Sequence, residues 1–322
     1  MQRTWRCAIT AADLGEFGII ARIAGRLPQF PAVLLGPGDD AAVLRAPDGR
    51  VVVTTDLLLE GRHFRRDWSS PYDIGRKAAA QNLADVVAMG ADPTALFVGL
   101  GMPKDTTTDW LDGLTDGFGD ECALVGASVA GGDIARSDLV VLGVTALGDL
   151  GGRAPVTRSG ARPGDVVAVA GRLGHAAAGL ALFLAGRPDR DFPELADAHR
   201  RPRPPYACGP GAAELGATAM ADVSDGLLQD LGHIAAASRV RIDVDPTALL
   251  VPGPLAAAAA ELGEDPLNWV LTGGEDHALA AAFPPDVRLP GEWCVIGQVA
   301  EGEGVQVSGR EQSRGGWDHF RD

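Results

Sequence analysis

The sequence predicts a mixed α/β or α+β protein built as two domains. Three observations lead there. At 322 residues the chain exceeds what one hydrophobic core commonly serves. Runs of β-branched apolar residues alternate with longer stretches whose apolar residues recur at helical spacing. Near residue 151 the texture changes, because GGRAPVTRSGARPGD is rich in glycine and arginine and keeps neither period. The boundary is therefore placed there, giving 1–150 and 151–322. Interleaved strands and helices suit either class, and pattern alone does not choose between them.

The elements follow in order. A helix is predicted over about 10–27, with Leu14, Phe17, Ile20 and Ile23 in phase and Pro28 to stop it. VVVTT (51–55) is β-branched and reads as a buried strand. SPYDIGRKAAAQNLADVVAMGADP reads as a helix capped by Ser70, opened by Pro71 and ended by Gly90. TALFVGLGMP is strand-like, although the glycines of GLGMP (99–103) read as a lone turn. Residues 107–125 suit a helix with Trp110, Leu114, Phe118 and Cys122 in phase, and 139–150 suit a strand. In the second half VVAVAG (166–171) is a strand leading into a helix at 174–185. Segments 186–193 and 200–205 (RRPRPP) read as stiff exposed loops. ADVSDGLLQDLGHIAAAS reads as strand end, turn and helix, GGED (273–276) as a turn before a strand, and CVIGQVAEGEGVQV as two strands.

Composition removes several classes of function. Hydrophobic residues at 46% and charged residues at 22% exclude a mainly disordered chain. The 43 acidic against 28 basic side chains, net −15, argue against a nucleic-acid partner, which needs a clustered positive surface. Cys7, Cys122, Cys208 and Cys294 form no CxxC pair and read as reduced thiols. Asp13 and Glu16 spoil the N-terminal stretch as a signal peptide, and no apolar run has the length of a membrane span. A cytoplasmic protein without a membrane partner is expected.

Aspartates recur where apolar runs meet glycine turns: Asp39 and Asp40, Asp56 after Thr54 and Thr55, Asp133 in GGDIARSD, and Asp222 and Asp225 in ADVSDGL. Asp85 instead sits on a helix, with Gln81 and Asn82 one turn back. Any one of them alone reads as a turn residue bonding its own backbone, or as a solvated charge. Together they read as a possible multi-metal phosphate site. Two carboxylates about 4 Å apart repel by roughly 4 kcal/mol at an effective dielectric near 20, which only a cation would offset. Oxygen donors from Asp and Thr suit Mg²⁺. GxxxxGK[ST], HExxH and GxSxG are absent, so neither a Walker loop nor a protein nucleophile is indicated.

The order of these segments is more specific than any one of them. GPGDDAAV, TTDLLLEGRHF, KAAAQNLADVVAMGADP, GGDIARSD, GRAPVTRSGARPGD, DVSDGLLQDLGHI and LTGGEDHAL, closing on GGWDHF, resemble the thiamine-monophosphate kinase family over nearly the whole chain. That family shares a superfamily with aminoimidazole ribonucleotide synthetase, selenophosphate synthetase and a hydrogenase maturation protein. The resemblance implies a two-domain PurM-like fold. Its N-terminal domain (1–150) binds ATP and Mg²⁺ and pairs its sheet with a second subunit's, making a homodimer. Its C-terminal domain (151–322) is AIR synthetase-like. The implied reaction passes the γ-phosphoryl of ATP directly to thiamine monophosphate. Carried over residue by residue, the family's magnesium ligands fall on Asp40, Thr54, Thr55, Asp56, Asp85, Asp133, Asp222 and Asp225. Asp56, Asp85 and Asp133 serve the metal-assisted chemistry. Nucleotide contacts fall on Gly132, Asp133, Arg158 and Ser224, and thiamine-phosphate contacts on His63, Glu275 and Trp317. Two rivals remain: a superfamily member using another acceptor, and a non-catalytic binding protein. GRHF, GGED and the terminal aromatic weigh against the first. The full set of mutually repelling carboxylates weighs against the second.

Overall fold

The structure is a computed structural model that describes residues 9–37, 41–187, 189–310 and 315–316. It divides into two compact units. The first takes residues up to 49, 53–82 and 93–147; the second takes 50–52, 83–92 and those from 148 onward.

In the first unit α1 (Ala11–Ala24) starts where Thr10 Oγ1 and backbone N–H both donate to Asp13 Oδ2, at 2.7 and 2.9 Å, and it ends short of Pro28. Short strands β1 (Val33–Leu35) and β2 (Val43–Leu44) pair with each other, followed by β3 (Val52–Leu59) and α2 (Pro71–Ala88). Ser70 opens α2 reciprocally: its N–H and Oγ donate to Asp73 Oδ2, and the Asp73 N–H returns to Ser70 Oγ. Then come β4 (Asp92–Met102), α3 (Thr108–Ala123), β5 (Ser128–Arg136) and β6 (Val141–Asp149). Helix α3 buries Leu111, Leu114, Phe118 and Cys122. Trp110 stays half-exposed with the Arg66 guanidinium 5.3 Å from its ring centre, so Leu111 takes the inward position. Helices α2 and α3 touch backbone to backbone. A Cβ on Gly75 would lie 2.2 Å from Leu114 O, and one on Gly117 2.2 Å from Tyr72 O.

The sheet order here is β3-β6-β4-β5, with β4 and β5 parallel. Two turn expectations fail at this point. Gly99 and Gly101 lie inside β4, and Gly131 and Gly132 inside β5. The glycines serve close approach instead of a turn. Register slips between Leu96 and Phe97, and a Cβ on Gly132 would meet Val98 O at 2.0 Å.

The second unit contains β7 (Val166–Ala170), α4 (His175–Leu184), α5 (Pro193–Arg200), α6 (Cys208–Glu214), β8 (Ala219–Val223), α7 (Leu227–Ser238) and β9 (Arg241–Val244). It continues with α8 (Gly253–Leu262), α9 (Pro266–Thr272), β10 (Ala278–Phe283), β11 (Trp293–Ala300) and β12 (Gly304–Val307). The six-stranded order is β12-β9-β11-β7-β10-β8. Strands β7, β10 and β8 are buried on both faces, which explains their continuous apolar runs, whereas β9 and β12 alternate. In β10, Ala278, Ala280 and Ala282 join the core with Leu182, Leu231 and Leu255. Leu279, Ala281 and Phe283 join the opposite one with Val156, Ala212 and Trp293. Alternation along one strand thus feeds two cores. Between the two predicted loops lies the short helix α5, which Pro193 opens at its first position.

Candidate active site

Strand β3 sorts its polar end by parity. Leu58 is buried and Thr54 and Asp56 are half-buried on its side, whereas Val53, Thr55, Leu57 and Leu59 are exposed on the other. Gln81 on α2 donates its Nε2 to Asp56 Oδ2 at 2.8 Å. The Thr55 hydroxyl donates to Val144 O at 3.1 Å and accepts from Thr145 Oγ1. Past the strand, the Leu59 N–H donates to His63 Nδ1 at 3.0 Å. That makes Nδ1 an acceptor and puts the ring proton on Nε2. Buried Lys77 donates Nζ to His63 O at 2.9 Å, holding the same turn from beneath. Gly132 and Asp133 are exposed on β5 and line a cavity of about 900 Å³ with Ile23, Phe97 and Phe118. A mostly apolar cavity with few polar groups at its edge suits a small-molecule ligand.

In the second unit two turns are strapped together. The Glu275 N–H donates to Ser224 O at 2.8 Å, and the His277 N–H to Val223 O at 3.1 Å. Gly274 permits the contact, since a Cβ there would stand 2.2 Å from Ser224 O. Glu275 and His277 both carry positive φ, 65° and 52°, a strained state for such side chains that clusters at functional sites. His277 Nδ1 lies 3.1 Å from Asp222 Oδ2, both side chains being buried. Burial opposes a charge on that imidazole, but the Asp222 hydrogen bond and the charges of Asp222, Asp85 and Glu275 raise its pKa. Asp225 accepts from Gln229 Nε2, while the Asp225 and Gly226 N–H groups both donate to Asp230 Oδ2 at 3.1 Å. Burial first, then the charges of Asp222 and Asp225, push Asp230 up to about 7. Arg158 is exposed; Ser238 Oγ donates to its carbonyl at 3.0 Å and accepts the Gly160 and Ala161 N–H groups. Glu275 Oε2 stands 3.6 Å from Nδ1 of buried His199.

The structure therefore brings Asp222, Ser224, Asp225 and Glu275 together in the second unit, with Asp85 in electrostatic reach of His277. It gives Thr54, Asp56 and His63 neighbouring places in the first. Asp40 and Trp317 lie outside the described residues. Among the described residues no three His, Cys, Asp or Glu side chains stand ready to hold a metal. The donors are oxygens, and the charges of Asp222 and Asp225 raise the proton affinity of Asp230, a repulsion that a cation relieves. Such partial sets fit Mg²⁺, which keeps water and phosphate oxygens in its shell in place of an all-protein cage.

Two family models match: AIR synthase related protein, N-terminal domain, over residues 38–150, and AIR synthase related protein, C-terminal domain, over 162–310. Thiamine-monophosphate kinase of Mycobacterium tuberculosis H37Rv is 52% identical over 97% of this chain and 93% of its own. The chain belongs to the thiamine-monophosphate kinase family. Among solved structures, the family's enzyme from Stenotrophomonas maltophilia K279a is 35% identical with a TM-score of 0.80, covering 91% of this chain and 95% of its own. AaThiL complexed with AMPPCP and TMP is 30% identical with a TM-score of 0.79, covering 99% of this chain and all of its own.

Several residues around these family positions were not singled out as site residues from the sequence. Asp230 lies inside SDGLLQD but reads there as an ordinary acidic residue in a first helical turn. His277 directly follows GGED, and its meaning depends on a left-handed backbone that sequence does not print. Gln81 stands one turn before Asp85 in the sequence, yet its amide reaches Asp56. Lys77, buried on α2, had no signal beyond a lone cation in an alanine run.

Proposed function

We propose that the chain is an ATP-dependent thiamine-phosphate kinase, passing the terminal phosphoryl of ATP to the phosphate of thiamine monophosphate to give thiamine diphosphate and ADP. The observation that carries this reading is the likeness, over 99% of the chain, to AaThiL complexed with AMPPCP and TMP.

In this reading Asp40, Thr54, Asp56, Asp85, Asp133, Asp222 and Asp225 would hold Mg²⁺. Thr55 is the weakest member of the set, because its hydroxyl is engaged on the other face of β3. Bound Mg²⁺ would supply charge neutralisation between two anions and their in-line alignment. The phosphate acceptor is already ionised near neutral pH, its second pKa being about 6, so no protein side chain has to remove a proton from it. Gly132 lets the nucleotide approach the β5 backbone. Arg158 offers a planar donor fork to phosphate oxygens and Ser224 a hydroxyl. His63 presents Nε2–H as a donor to the acceptor phosphate. Glu275 attracts the cationic thiazolium, and Trp317 supplies an aromatic face.

The reading extends to the assembly and its place. The apolar face of β3, with Val53 59% and Leu57 61% exposed, is the surface on which a second copy would pair, giving a homodimer. The proposed dependence on ATP supports a cytoplasmic enzyme, in keeping with Cys122, Cys208 and Cys294 standing as free thiols. Among the described residues no helix is long and apolar enough to cross a membrane.

A phosphorus NMR time course with ATP, Mg²⁺ and thiamine monophosphate tests the reaction. A diphosphate ester should appear as ATP becomes ADP, and only with acceptor and metal present. ATP consumption without that ester would move the acceptor elsewhere in the superfamily. No ATP chemistry at all would favour the binding-protein reading.

A further inference from the structure

The segment RRPRPP, which the proposed reaction does not use, lines a second cavity in the second unit. That cavity, about 610 Å³, is bordered by Arg172, Arg190, Arg200, Arg201 and Arg203 against three acidic side chains. A local excess of positive charge is unexpected in a chain of net charge −15.

Much of the acidic capacity is already committed. Asp197 accepts from both Arg201 and Arg203. Asp189 accepts from Arg200 at 3.0 Å, and Glu194 lies 3.9 Å from His175 Nε2. Arg172 is half-buried and makes no hydrogen bond or ion pair among the described residues. Arg200 and Arg201 sit at the C-terminal end of α5, where the helix dipole favours cations. Arg172 stands on the loop between β7 and α4, and its charge reaches Asp276 and His175 without an ion-pair contact to Asp276.

The frame is rigid. Pro202 and Pro204 are buried, and Arg203 between them is exposed, so the prolines pin the backbone while the guanidinium faces outward. The loop carrying Arg172 packs on this segment: a Cβ on Gly171, whose φ is 101°, would stand 3.3 Å from Pro205 Cδ. Phe183 supports Arg200 from below, with the guanidinium carbon 4.9 Å from its ring centre. Guanidinium forks held in place lose little freedom on meeting phosphate oxygens.

We propose that this cavity is a binding site for the diphosphate group of a small molecule, either free or as the end of an organic ester. None of its lining residues is among those assigned to ATP, Mg²⁺ or thiamine phosphate. Its volume suits a metabolite, and the acidity of the whole chain disfavours a long polyanion.

The test is calorimetric titration of the full chain with pyrophosphate, and separately with ADP, in excess EDTA. Chelation keeps the proposed magnesium-dependent site out of the measurement. The wild type is compared with Arg172→Ala and with Arg203→Ala, the second being a surface change that leaves Arg201 on Asp197. Pyrophosphate should bind the wild type, weaken at least about tenfold in Arg172→Ala, and weaken as salt is raised. Kinase turnover at saturating substrates should stay unchanged in both variants. If ADP loses affinity in parallel, the ligand is an organic diphosphate; if only pyrophosphate does, it is the free anion. No pyrophosphate binding by the wild type, or equal binding by wild type and both variants, overturns the site whether or not the kinase reading stands.

Discussion

Asp56 leaves β3 on the same face as Thr54, and Gln81 holds one of its oxygens. Asn at position 56 keeps the size and can still meet Gln81, but it lacks the charge. Asp56→Asn should therefore lower turnover at least about 100-fold through lost phosphate neutralisation, with the circular-dichroism spectrum and melting temperature nearly unchanged. Turnover within a few-fold of wild type would remove Asp56 from the metal set. A second residue-scale expectation concerns Asp276. Its Oδ1 accepts the Ala176 N–H at 3.1 Å at the start of α4, while its buried Oδ2 has no hydrogen-bond partner among the described residues. Burial pushes the carboxyl up to about 7 from 3.8, against the Ala176 N–H and the charge of Arg172. The unfolded chain ionises this group from about pH 4 upward, whereas the folded chain retains its proton until about pH 7. Stability is therefore lost as pH rises across that window, and the loss is complete above it. Asp276→Asn keeps the acceptor and removes the ionisation. The variant should melt above wild type at pH 8 and level with it at pH 4, as thermal scans would show. A melting difference that does not change with pH would rule out ionisation as its source.

At the scale of elements, contact between α2 and α3 depends on the absence of side chains. Gly75 faces Leu114 O and Gly117 faces Tyr72 O, each so closely that a Cβ would stand 2.2 Å away. Gly117→Ala must push the helices apart and should cost about 1–3 kcal/mol, the range for overpacked sites. Urea unfolding would read this as a lower midpoint at unchanged slope. An unchanged midpoint would mean that α3 can shift freely. The same logic explains the failed turn expectations. GLG and GG read as turn glycines in the sequence, yet Gly132 is needed because β4 and β5 approach closely at a bulge. The segment ADVSDG was legible as strand, turn and helix because the β-run, the turn residues and the helical spacing occur in succession. The strap from GGED to Ser224 was not, because it joins segments about fifty residues apart through left-handed backbone.

At the scale of the molecule, the exposed apolar row of β3 carries the expectation of a dimer. Leu57→Glu places a charge in the middle of that row. Light scattering behind size exclusion should give about twice the 33.2 kDa chain mass for wild type and a single chain for the variant. A monomeric wild type would end the dimer proposal. The charge pattern also belongs to this scale. The chain is acidic throughout its composition, yet the second unit gathers arginines from three separated stretches around one cavity, an arrangement that no charge count reveals.

The sequence by itself determined the alternation of helices and strands, the family, and which residues occupy the family's acidic positions. These depend on local spacing and on the order of motifs, both carried by neighbouring residues. Tertiary structure decided what the side chains do at those positions. It set Thr54 and Asp56 on one face of β3 and Thr55 on the other, joined His277 to Asp222, and left Arg172 without an ion-pair partner among the described residues. Each of these depends on strand register, positive φ or burial. Those properties arise only when distant segments pack, because packing fixes the direction of a side chain and removes the water that would otherwise solvate it.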